Sequence, residues 1–222
     1  MKVLIPESWS DITLTQFQNY TAEFKKELNP TTRLIQLISI FCDIKFDVAC
    51  KMKISDMKKI AKDIYALLQI TPNTLITTFE HNKIKYGFIP RLDDITIGEY
   101  ADLEHYLSDA DKMWDNMHWI VSILYREIEE EKNGKYVIKD YEPSKERAEE
   151  FKNLSMEVVY SASNFFLSLG AELVEIMPNF IQPEEKLQMT EILKKMAGVG
   201  SKSSTISQEE ILQDLNRLKD NN

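Results

Sequence analysis

The sequence predicts a mainly α protein: a helical bundle-like body with one or two small β-hairpins and a tethered C-terminal amphipathic helix. Three observations predict it. Apolar residues recur at helical spacing along most of the chain, two short polar turns interrupt that rhythm, and a Gly/Ser-rich stretch precedes a last apolar stripe.

The helical stripes come in order. Phe17, Tyr20 and Phe24 make the first, Leu34, Leu37, Ile38 and Phe41 the second, and Met57, Ile60, Ile64, Leu67 and Leu68 the third. After the first hairpin the period returns in Tyr100, Leu103 and Leu107, then in Met117, Ile120, Val121 and Leu124, and again in Val158, Ala162, Phe165, Phe166 and Leu169. Each stripe needs a neighbour to cover it, and stacked helices are the simplest cover. The aromatic residues Trp114, Trp119, Tyr125, Phe165 and Phe166 fall on these stretches and are read as core.

Hairpins are expected at two places. Leu75 to Glu80 can pair with Lys83 to Ile89 across a turn at Asn82, and Arg126 to Glu129 with Lys135 to Ile138 across Asn133-Gly134, the favoured dipeptide of a type I′ turn. Val3-Leu4-Ile5 is a candidate extra strand. The final third reads as a long helix from about Ser155, ended near Pro178, and a second helix from near Pro183. The expected organisation is a helical body over 1–197, divisible into lobes at 1–80 and 81–197, a linker over 198–205 and an amphipathic helix over 206–222.

One motif occurs twice. Asp11-Ile12-Thr13-Leu14-Thr15-Gln16-Phe17 matches Asp94-Ile95-Thr96-Ile97-Gly98-Glu99-Tyr100, and an Ile-Pro pair precedes both. With Thr13 and Thr96 as N-caps, Gln16 and Glu99 complete capping boxes, and Ile12 with Phe17 and Ile95 with Tyr100 take the positions of a hydrophobic staple. Ordinary helix starts explain the pattern; duplication of a lobe is the sharper alternative.

Composition bounds the function. With 43% hydrophobic and 28% charged residues the chain has the make-up of a folded globular protein. A formal net charge of -9 repels a phosphate backbone, which argues against nucleic acid as the main partner. Cys42 and Cys50 sit in apolar-periodic sequence and are read as free thiols of a reducing cytoplasm, or of a particle assembled there. No stretch approaches the roughly 18 apolar residues of a membrane span, so no membrane role is expected.

No catalytic, cofactor or metal site is nominated. Gly198-Val199-Gly200-Ser201-Lys202 has Ser201 where a phosphate-binding loop needs glycine before its lysine, and reads as a linker. His81, His105 and His118 lack metal-ligand spacing, and the acidic clusters Asp93-Asp94, Asp109-Ala110-Asp111 and Glu129-Glu130-Glu131 read as helix-start, turn and hairpin-edge chemistry. The candidates for contact with other proteins are Trp9, in a polar entry segment where it either caps the core or is an exposed anchor, and Ile211, Leu212, Leu215 and Leu218 on one face of the last helix.

Five segments carry a family resemblance: Ile5 to Thr13, Ile40 to Ile44, Gly87 to Tyr100, Ile123 to Arg126 and Asn164 to Gly170. Together, and in this order, they resemble small structural-gene products of tailed phages of Bacteroidetes-type hosts, including crAss-like phages. That resemblance implies a virion or virion-assembly role: a head-to-tail ring component, a packaged cargo protein or a tail-assembly chaperone. Its partners would be virion proteins or further copies of the chain. The competing expectation is a helical adaptor that takes a partner peptide in a groove, with no phage connection.

Overall fold

Helix α1 (Leu14–Phe24) begins where Thr13 turns from extended backbone into helix, and its capping box is complete. Gln16 N–H donates to Thr13 Oγ1 at 3.2 Å, while Thr13 N–H donates to Gln16 Oε1 at 2.8 Å. A 3-10 turn, Trp9–Asp11, leads into it. Then follow α2 (Pro30–Phe41), capped by Asn29 with proline in its first turn, the short α3 (Phe46–Ala49) and α4 (Ile54–Leu68). The computed structural model describes residues 3–164 except 71, 73, 91–94 and 110.

The chain next makes β1 (Thr78–His81) and β2 (Ile84–Phe88), with Asn82 and Lys83 both at positive φ in the turn. Helices α5 (Ile97–Leu107) and α6 (Met113–Leu124) follow, and α6 runs directly into β3 (Tyr125–Lys132). Asn133-Gly134, at φ 53° and 75°, turns β3 into β4 (Lys135–Ile138). Helix α7 (Lys145–Phe151) and a helical stretch over residues 156–164 complete the described part.

Both expected hairpins are present, but the expectation of a helical bundle-like body is corrected. The hairpins join edge to edge into one four-stranded antiparallel sheet in the order β1-β2-β3-β4. The decisive contact is β2 against β3, pairing Tyr86 with Glu127, Gly87 with Arg126 and Phe88 with Tyr125. An α+β architecture, helices packed on a shared sheet, replaces a bundle carrying separate ribbons. The physical reason lies at Tyr125. At φ -114° and ψ 128° it leaves α6 for extended backbone without a loop, so a residue read as helical from its apolar period is the first of a central strand. Val3-Leu4-Ile5 belongs to none of the described strands.

One hydrophobic cluster takes in both halves of the described chain. Ile12, Leu14 and Phe17 of the first half meet Trp114, Met117 and Tyr160 of the second, all at most 8% exposed. Backbone bonds close the same junction: Leu14 N–H donates to Leu154 O at 2.9 Å and Met156 N–H to Ile12 O at 2.7 Å. No described helix is long and apolar enough to cross a membrane. The helix expected from about Ser155 is described over residues 156–164; its continuation towards Pro178, the helix expected from near Pro183, the linker and the terminal helix all lie outside the described residues.

Candidate functional site: a groove beside the N-terminal segment

The feature best suited to receiving a partner is an open groove of about 930 Å³. It is built by the extended segment Leu4 to Glu7 with Asp11 of the following turn, the first turns of α1, the second half of α2, the turn into α3, and Asn153 after α7. The extended segment lies where it does because Trp9 anchors the turn behind it. The indole is only 5% exposed, its ring centroid lies 4.6 Å from that of Tyr160, and its Nε1–H donates to Ile70 O at 2.6 Å. Trp9 therefore takes the core-capping role of the two the sequence left open. It does not line the groove, and Ile211, Leu212, Leu215 and Leu218 lie outside the described residues.

The opposite side of the groove is fixed by helix ends. Gln16 completes the α1 capping box with its carbonyl and donates from Nε2 to Ile40 O at 3.0 Å, tying the start of α1 to the last turn of α2. Asp43 then stands at φ 49°, the left-handed conformation that ends helices and that Asp and Asn tolerate better than other side chains. Its neighbour Ile44 donates N–H to Ser39 O at 3.0 Å, which closes the α2 terminus. Phe46 opens α3 at 41% exposure, and Leu4 is 78% exposed on the N-terminal segment.

Charge in the groove has one sign. Its described lining contains Glu7, Asp11 and Asp43 and neither lysine nor arginine. The backbone N–H of Glu7 and the hydroxyl and N–H of Ser8 donate to Asp11 and hold its carboxyl below the usual range, so that charge persists into acid. The C-terminal end of α2, which carries negative partial charge, adds to the same field.

The three histidines stay apart. His105 is exposed on α5, and His81 lies on β1 with its ring against Phe151. His118, 6% exposed, packs from α6 against α1 and α7, with Glu149 Oε1 4.0 Å from its Nε2 and Gln18 Nε2 3.4 Å from its Nδ1. No described group of three or more His, Cys, Asp or Glu is arranged to hold a metal ion. Both cysteines are free, Cys42 buried and Cys50 exposed, and burial pushes the Cys42 thiol up to about 11.

Sequence reasoning passed over the groove residues. Phe46 stands alone between Lys45 and Asp47, and Leu4 belongs to a short apolar run cut off by Pro6. Apolar side chains with no periodic partner are the only signal they leave. No protein-family model, curated protein or solved structure matches the chain.

Proposed function

We propose that this chain is a non-enzymatic protein of a tailed-phage particle or of its assembly, acting through protein–protein contacts. The observation that carries the contact reading is the open groove, with Leu4 and Phe46 exposed on it and Gln16 and Asp43 fixing its borders. A concave surface of mixed polar and apolar lining, held by a packed body, binds partners with little reorganisation cost. The phage setting is supported by the resemblance carried by the segments from Ile5 to Gly170. Mass spectrometry of gradient-purified particles, together with deletion of the coding sequence, tests it. The chain's peptides in particles identify a ring or cargo component. Absence from particles combined with defective assembly in the deletion identifies a chaperone, and absence combined with normal assembly overturns the phage role.

The same groove favours a second reading, an adaptor that docks a partner peptide with no phage connection. It predicts a monomeric chain whose partner is a host protein. Light scattering, followed by cross-linking at the groove, separates the two.

A further inference from the structure

We infer that the groove beside the N-terminal segment takes a basic, apolar segment of a partner protein. This rests on the protein-contact reading above and adds to it the chemistry of the occupant. Two independent features converge. The exposed Leu4 and Phe46 offer apolar contact. Glu7, Asp11 and Asp43, with no lysine or arginine among the described lining residues, give the groove a single negative sign. An acidic segment entering it meets like charges and the negative end of α2, whereas Lys or Arg side chains gain from both and lay their aliphatic stems along Leu4 and Phe46.

Charge also decides against the nearest competitor, the chain's own C-terminal stripe. Residues 206–218 carry Glu209, Glu210 and Asp214 against Arg217 alone. Their apolar residues suit the groove and their charge does not. A second copy of a chain with net charge -9 faces the same opposition unless it presents a locally basic surface.

The test uses the full chain and three labelled peptides followed by fluorescence anisotropy: a twelve-residue peptide alternating Lys and Leu, its Ser-Leu counterpart, and the chain's own residues 206–218. The Lys-Leu peptide is expected to bind most tightly and to weaken as salt rises. Glu7→Lys, Asp43→Asn and Phe46→Ser are each expected to weaken it at least fivefold, whereas Glu104→Lys, a charge reversal on α5 away from the groove, leaves it unchanged. Asp43→Asn keeps a side chain that accepts the left-handed conformation, so its effect reads charge rather than misfolding. If the Ser-Leu or 206–218 peptide binds as tightly, and only Phe46→Ser weakens it, the groove docks peptides but the basic occupant is overturned. Should no peptide respond to any groove variant, the groove reading fails as well. A dimer in light scattering that Glu7→Lys dissociates would make a second copy the occupant, and the inference would fall.

Discussion

Gly87 lies in a central strand where any side chain collides with a ring. A Cβ built there comes 2.5 Å from Tyr136 Cε2, and the ring cannot swing away freely because its hydroxyl donates to Phe88 O at 2.8 Å. Gly87→Ala is expected to cost about 1–3 kcal/mol, an overpacking penalty, read as a lower urea midpoint. In a Tyr136→Ser background the same substitution should cost much less, and an unchanged cost would locate the strain in the backbone. Glu99 is a second residue with two tasks. Its Oε2 accepts from Thr96 N–H at 2.7 Å to complete the α5 capping box, and its Oε1 sits 3.0 Å from Arg126 Nη2, with Glu99 only 1% exposed. Thr96→Ala removes one capping bond and is expected to cost about 1 kcal/mol. Glu99→Leu leaves a buried guanidinium without its counter-charge and should cost about 3–5 kcal/mol. Equal denaturation midpoints for the two variants would show that the ion pair adds nothing to the cap.

Among the elements, helix starts were legible because their chemistry is local. Thr13 with Gln16 and Thr96 with Glu99 form the capping boxes their spacing predicts. The staples differ: Ile12 and Phe17 are both buried, whereas Ile95 is half-buried and its partner Tyr100 is 60% exposed. The same sequence device thus buries an apolar face at α1 and a carboxylate at α5. Both hairpins were legible from their turn residues, but pairing of β2 with β3 was not, since two helices separate those strands in sequence and no periodicity records a distant partner. The groove was illegible for a related reason, being made where segments distant in sequence, from Leu4 to Asn153, meet. Packing of α6 against α1 and α7 yields a pH prediction. Burial and the nearby Lys152 hold His118 down at about 4 from its ordinary 6.5, against the opposing pull of Glu149 and of a hydrogen bond at the Asp115 backbone. Between those values the unfolded chain binds a proton that the folded chain does not, so stability falls as pH drops from 6.5 towards 4. The loss is expected to be on the order of 1–3 kcal/mol, and His118→Gln should flatten it in urea melts at pH 7 and pH 5. A slope unchanged in that variant would assign the acid sensitivity to other groups.

For the whole molecule, the question is whether residues before and after about 80 unfold as one. Sequence organisation allowed two lobes there, and the junction between them is made of core. Phe17 packs edge-on to Trp114 at 4.8 Å and to Tyr160 at 5.6 Å, while Trp9 lies 4.6 Å from Tyr160. The isolated bridge between Thr13 and Ser155 adds backbone pairing between the first and last described helices. Neither segment can open without exposing large aromatic surfaces of the other, at about 25 cal/mol for each Å² of apolar area returned to water. Cooperative unfolding of the described body is the expected outcome. The chain's three tryptophans make this measurable, since Trp9 reports on the first segment and Trp114 and Trp119 on the second. A Trp114→Phe/Trp119→Phe double variant leaves Trp9 as the only indole, and Trp9→Phe leaves the other two. Urea melts of the two variants, each followed by tryptophan fluorescence and far-ultraviolet circular dichroism, should give one midpoint per protein whichever signal is read. A Trp9 transition that precedes loss of helix would show that the N-terminal segment detaches first, taking one border of the groove with it. Partner binding should then fail at lower urea than the fold does.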